Sequence, residues 1–192
     1  MRLFVAIDIP EAVKERLAMI SCGLPGVRWV KAEQLHLTIR FIGEVDGDRF
    51  LDIRDELAEV SCESFPMQLQ GVGFFPPRKK PRVVWVGLEI NEQLVRLRNR
   101  IESVLIRTGL EPEGRKFAPH ITLARMKNTP SSKVGRFLEH HSLFISPPFQ
   151  VNEFRLYSSV LNARGAKHFI EQEYPLNCHH EPHQIHEKKK GR

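Results

Sequence analysis

The apolar positions fall into runs of two kinds, and the order of the runs repeats. Residues 2–8, RLFVAID, form a run long enough for a buried strand and too short for a helix. Pro10 then stands where the first turn of a helix tolerates it, with Asp8 nearby as a candidate cap. Val13, Leu17 and Ile20 recur at helical spacing and predict a helix over 10–21. After the Gly23–Gly26 turn region come VRWV and LHLTIRFIG, whose branched and aromatic content reads as strand. Phe50, Ile53, Leu57 and Val60 mark a second helix, and 65–75 reads as a further strand. The second half begins again with RVVWVGLEI at 82–90, a near-continuous buried strand. A helix with the stripe Leu94, Leu97, Ile101, Val104 and Leu105 follows. HITLARM at 120–126, a helical stretch near 131–141 and strands near 149–159 and 167–173 complete the pattern.

Strand, helix, strand, helix, strand thus occurs twice, at a steady offset. Arg2 and Arg82 are 80 residues apart, His36 and His120 are 84 apart, and the strands starting near 65 and 149 are again 84 apart. The spacing predicts an internal duplication: an α+β fold of two lobes about a pseudo-twofold axis, each a mainly antiparallel sheet backed by helices, with a central cleft between them. Residues 1–177 form this bilobal unit, and 178–192, rich in histidine and lysine, read as a disordered tail.

Composition narrows the setting. A chain of 192 residues, 41% of them hydrophobic, buries a core without a disulfide or metal staple. The cysteines, Cys22, Cys62 and Cys178, are odd in number and lack CxxC spacing, which argues against a secreted disulfide framework or a zinc ribbon and favours the cytoplasm. Asp8 interrupts the first apolar run well short of a signal peptide, and no stretch approaches the roughly 20 apolar residues of a membrane span. Net charge is +6, two units of which belong to the tail. That excess suits a polyanionic partner without identifying one.

Chemistry is concentrated in HLTI at 36–39 and HITL at 120–123. The chain has four threonines, and two of them, Thr38 and Thr122, stand two residues after a histidine in matching apolar contexts. In a strand, His36 and Thr38 share one face while Leu37 and Ile39 pack into the other, and likewise for His120 and Thr122. A lone histidine on such a strand is more often a satisfied core residue; a matched pair across a twofold suits displacement at phosphorus. One imidazole takes a proton from the attacking oxygen, the other gives one to the leaving oxygen, and the hydroxyls donate to the non-bridging oxygens. The symmetry of the pattern does not tell the two histidines apart.

HLTIRFIG and HITLARM resemble the paired motifs of the two-histidine phosphoesterase superfamily, and within it the RNA 2′,3′-cyclic phosphodiesterases, also called 2′-5′ RNA ligases. The openings MRLFVAIDIP and PRVVWVGL, RWV at 28–30 and LYSSVLNARGAKH at 156–168 extend the resemblance over about 1–176. It implies hydrolysis of a terminal 2′,3′-cyclic phosphate to a 2′-phosphate, and reversible 2′-5′ joining of RNA ends, with no metal or nucleotide cofactor. The expected partner is such an RNA end, for example of tRNA halves, with no membrane, no obligate protein partner and a monomeric state. The resemblance also implies His36 as proton donor, His120 as proton acceptor, Thr38 and Thr122 on the phosphate, and Arg125 as substrate-binding residue. Strict alternation puts Arg125 out of phase with His120. Its equivalent in the first motif is Phe41. Arg40 either points into the cleft or covers the strand end, and Trp29 and Phe41 are expected in the core rather than stacked on a base. RKKPR at 78–82 reads as a solvated loop, with an RNA-backbone contact as its sharper alternative. The rival functions are action on a small nucleotide cyclic phosphate or a 2′-5′ oligonucleotide, and an RNA- or nucleotide-binding module without turnover.

Overall fold

The computed structural model describes residues 1–77, 79–89, 91–162 and 165–177, so the predicted tail lies outside the described residues. In order, the elements are β1 (Arg2–Asp8), α1 (Glu11–Ile20), β2 (Val27–Trp29), a 3-10 turn (Ala32–Gln34), β3 (His36–Glu44), α2 (Gly47–Ala58), β4 (Phe65–Met67), β5 (Leu69–Phe75), β6 (Val83–Leu88), α3 (Glu92–Arg107), β7 (Ile121–Met126), α4 (Ser131–His140), β8 (Phe149–Val151), β9 (Glu153–Asn162) and β10 (Gly165–Pro175). Helices α2 and α3 start where a side chain satisfies a free N–H: Asp46 accepts from the Arg49 amide at 2.9 Å and Asn91 from that of Leu94 at 2.8 Å. Asp8 does not cap α1. Pro10 occupies that position without a side-chain bond, and the Asp8 carboxylate is taken by Arg155 and Tyr157.

Two four-stranded sheets carry the fold, in the orders β10-β9-β1-β3 and β2-β7-β6-β5, and β4 pairs with β8 separately. Every pairing between named strands is antiparallel. The single strands expected over 65–75 and 149–159 are each two strands, because the chain leaves the β4–β8 pair and enters a large sheet one residue later.

With β1 matched to β6, β3 to β7 and β5 to β9, three successive strands of one sheet, β9-β1-β3, correspond to β5-β6-β7 of the other. The pseudo-twofold is explicit in the β4–β8 register, where Phe65 faces Val151, Pro66 faces Gln150 and Met67 faces Phe149. Under the 84-residue offset Pro66 meets its own equivalent, and the flanking pairs exchange. The axis passes through that pair. The two sheets do not follow the successive halves of the chain. β9 and β10 complete the sheet begun by β1 and β3, and β2 and β5 complete that of β6 and β7, so each half lends two strands to the other's sheet.

The core explains the strand patterns. Leu3, Val5 and Ile7 alternate onto one face of β1 and are essentially inaccessible, together with Leu37 and Ile39 of β3 and Val13, Leu17, Ile53 and Leu57 of the helices. Around the second sheet, Val84, Val86, Ile121 and Leu123 are buried, as are Leu94, Leu97, Ile101 and Phe137 from α3 and α4. Truncating one of these, Leu37→Ala for example, costs ~2–5 kcal/mol. The opposite face of β1 presents Phe4, Ala6 and Asp8, which belong to the site.

Candidate active site

Each motif strand carries a β-bulge at the same place. Along β1 and β3, Val5 pairs with Arg40 but Ala6 with Thr38, leaving Ile39 as the extra residue. Along β6 and β7, Val84 pairs with Ala124 but Trp85 with Thr122, leaving Leu123 extra. A bulge shifts the phase of the strand by one residue. Directly paired residues share a face, and alternate residues of an unbulged partner do too. Phe4, Ala6 and Asp8 of β1 oppose Phe41, Thr38 and His36, so these three β3 side chains share a face. Val83 and Trp85 of β6 oppose Arg125 and Thr122, which likewise share a face. The bulge thus places Arg125 with Thr122, where strict alternation had put it on the opposite side.

The same shift turns Phe41 to the site face, 42% exposed, with the Arg2 guanidinium 4.8 Å from its ring centroid. This corrects its expected burial. Arg40 is turned away from the site. It pairs with buried Glu102 at 2.9 Å and Glu113 at 3.2 Å, which ties β3 to α3 and the following loop. Trp29, opposite Ala124, packs 6.0 Å from the Phe137 ring of α4, in accord with its core assignment. In the loop between β5 and β6, Lys79 and Lys80 are exposed; Arg78 lies outside the described residues.

The histidines are held alike. His36 Nδ1 lies 2.8 Å from the carbonyl of Gln34, and His120 Nδ1 lies 2.7 Å from that of Ala118. A carbonyl only accepts, so Nδ1 carries the proton in both rings and Nε2 is left for a substrate. Gln34 is anchored in turn, its side-chain amide donating to the Ala166 carbonyl at 2.7 Å. Strands β3 and β7, which carry the two motifs, are in contact across the boundary between the two sheets.

Their surroundings differ. His36 stacks on Phe4 at 4.9 Å, with Tyr157 6.1 Å away and His168 edge-on at 5.4 Å. His120 sits edge-on to Phe75 at 4.9 Å, with Trp85 6.2 Å away. Across the ladders, Tyr157 lies opposite Phe4 in the first lobe and Gly73 opposite Trp85 in the second; a Cβ on Gly73 would lie 2.2 Å from the indole.

Burial pushes His36 down to about 4, with the nearby His168 acting in the same direction; its bond to the Gln34 carbonyl and the Asp8 carboxylate oppose that shift. Burial lowers His168 as well. Asp8, paired with His36 across the β1–β3 ladder, is committed elsewhere. It accepts from the Tyr157 hydroxyl at 2.6 Å and from Arg155, which also meets Glu153 and Glu173. Burial and the bond to Asp8 raise Tyr157, keeping its hydroxyl protonated.

Sequence reasoning missed His168 and the aromatic seats Phe4, Tyr157, Phe75 and Trp85. Each stands in a run that reads as ordinary strand, and only the cross-strand register directs it to the histidines. Among the described residues no three His, Cys, Asp or Glu side chains are arranged to hold a metal ion, and no helix is long and apolar enough to cross a membrane.

Comparison with known proteins fits this geometry. The chain is 35% identical over 168 residues to a protein of Archaeoglobus fulgidus named RNA 2′,3′-cyclic phosphodiesterase, covering 86% of this chain and 94% of that one. Among solved structures, TT0787 of Thermus thermophilus aligns at a TM-score of 0.76 and 26% identity, over 94% of this chain and all of that one. Escherichia coli LigT in its apo form aligns at 0.74 and 26% identity, over 91% and 96%. The LigT like phosphoesterase profile matches twice, over residues 7–85 and 86–166, once for each histidine–threonine motif, and the chain belongs to that family.

Proposed function

We propose that this protein opens 2′,3′-cyclic phosphates at RNA ends to leave a 2′-phosphate, with His36 and His120 as paired acid and base. The observation that carries this reading is the duplicated seat: each histidine is tied through Nδ1 to a carbonyl, leaves Nε2 free, and has a threonine beside it on strands that meet. The Archaeoglobus fulgidus relative, whose name states this activity, supports the substrate class.

In the proposed reaction, His120 Nε2 takes a proton from water as its oxygen attacks phosphorus. The bond from phosphorus to O3′ breaks, and His36 Nε2 supplies the proton that O3′ needs to leave. Thr38 and Thr122 donate to the non-bridging oxygens, and Arg125 balances their charge. A 5′-hydroxyl in place of water gives 2′-5′ joining by the same steps. The residues supply acid, base and charge stabilisation themselves, and the reaction is proposed to need neither metal nor nucleotide cofactor. RNA ends such as tRNA halves fit as substrates of a cytoplasmic monomer.

The burial that lowers His36 means that, as donor, it acquires its proton once the phosphate's negative charge is beside it. The same burial favours a second reading, in which His36 is the base and His120 the acid. A substrate with sulfur in place of O3′ separates the two, because a thiolate leaves without a proton. Rescue of His36→Ala by that substrate identifies His36 as the acid, and rescue of His120→Ala exchanges the roles. The primary test is to incubate RNA ending in a 2′,3′-cyclic phosphate with wild type and each variant, with and without chelator. Ring opening to the 2′-phosphate, unchanged by chelator, is expected. No opening, or a requirement for added metal, refutes the mechanism, and a 3′-phosphate product reverses which oxygen departs.

A further inference from the structure

Arg28 has no part in the reaction just described, yet the β2–β7 register sets it directly opposite Arg125. Paired residues share a face, so Arg28 joins Thr122 and Arg125 on the site side, while its neighbours Val27 and Trp29 turn to the core side. Both arginines are exposed, and among the described residues no carboxylate forms an ion pair with either. Like charges placed directly opposite on paired strands repel. An anion between or beside the two guanidiniums removes that repulsion, and the fork of each guanidinium matches phosphate oxygens.

Arg28 stands one strand spacing, about 4.8 Å, beyond Arg125 and farther from Thr122. The threonines and Arg125 already surround the place assigned to the reacting phosphate. A second phosphate, the next one along a strand, is what remains for Arg28.

We infer that Arg28 and Arg125 form a phosphate clamp whose outer member, Arg28, takes the phosphodiester preceding the cyclic end, so that an RNA strand is preferred over a single nucleoside cyclic phosphate. The inference rests on the ring-opening reading above and adds the feature of the substrate that is recognised. Arg28 is a specificity residue here, outside the acid–base machinery.

The test compares wild type, Arg28→Gln and Arg28→Lys on two substrates, a nucleoside 2′,3′-cyclic phosphate and a short RNA ending in the same group, at two salt concentrations. Arg28→Gln is expected to raise KM for the RNA about tenfold with kcat unchanged, and to reduce the salt dependence of that KM by about one phosphate contact. Its kinetics on the nucleoside are expected to match wild type, and Arg28→Lys to recover part of the RNA effect. An equal loss on both substrates overturns the inference by placing Arg28 at the reacting phosphate. No loss on either overturns it by making Arg28 a plain surface charge. Should wild type open neither substrate, the ring-opening reading fails separately. Anisotropy with the same RNA ending in a 2′-phosphate then decides: equal affinity for wild type and Arg28→Gln overturns the clamp, and a tenfold difference upholds it.

Discussion

The two half-sites share a backbone and differ in their neighbours. Each has the same bulge after its threonine, the same Nδ1 bond to the carbonyl two residues earlier and an aromatic seat beneath the imidazole. Around that constant frame, His36 has a second histidine at its edge and a committed carboxylate across the ladder. His120 has hydrocarbon and indole. Where Thr122 has Arg125 on its face, Thr38 has exposed Phe41. In the proposed reaction, two chemically identical groups are suited to different tasks because a symmetric scaffold fixes their geometry while asymmetric surroundings set their protonation.

The largest expected effect comes from removing either imidazole. His36→Ala and His120→Ala should each lower the rate of ring opening by ~10²–10⁴. The double variant should be little worse than the poorer single one, because acid and base act as a unit. Additive losses measured by single-turnover kinetics would break the idea of coupled half-sites.

Thr38→Ala and Thr122→Ala come next, each lowering kcat by ~10²-fold if its hydroxyl serves the developing charge. Unequal losses would sharpen the comparison by showing which lobe holds the phosphate more firmly, and Arg125 beside Thr122 points to the second.

A third difference concerns acid. His36 lies at about 4 in the folded chain against about 6.5 unfolded, so between those values the unfolded chain binds more protons. Stability is therefore full above about pH 6.5 and falls as pH drops toward 4, by up to ~3 kcal/mol from this group. Chemical denaturation of wild type and His36→Phe across that range should show a steeper loss for wild type. Parallel curves would place His36 in an ordinary environment.

Gly73→Ala tests the other seat. The added methyl group meets the Trp85 ring, and overpacking of this kind costs ~1–3 kcal/mol. A lowered Tm with a raised KM is expected, and an unchanged Tm would show that the indole moves aside freely. The smallest effect is that of His168→Gln. Removing a neighbour of like charge should shift the His36 imidazole titration upward by NMR while leaving the fold intact; a downward shift or none contradicts the pairing.

How much of this the sequence disclosed follows from the range of the interactions. The helices were legible because Leu94, Leu97 and Ile101 repeat within one element, and the duplication because HLTI and HITL sit at a fixed offset. The resemblance of these motifs pointed to the family. The phase of Arg125 was hidden because the bulge at Leu123 appears only when β6 is laid beside β7. The exposure of Phe41 was hidden in the same way by Ile39. Breaks between β4 and β5 and between β8 and β9 were illegible because nothing local marks a change of partner sheet. His168 was passed over because it approaches His36 from two strands beyond β1, 132 residues later in the chain.

The strand exchange gives the molecule an indivisibility that a count of lobes conceals. A fragment ending after β5 would keep β1 and β3 without β9 on their open edge, and would carry β5 with no sheet to join. The complementary fragment would have the mirror deficiency. Neither half is a foldable unit, and a half-length ancestor could have completed its sheets only by trading strands with a copy of itself, with the β4 segment of each copy paired to the other. Within one chain both exchanges are intramolecular, independent of concentration, and the neighbours of the two histidines are free to differ.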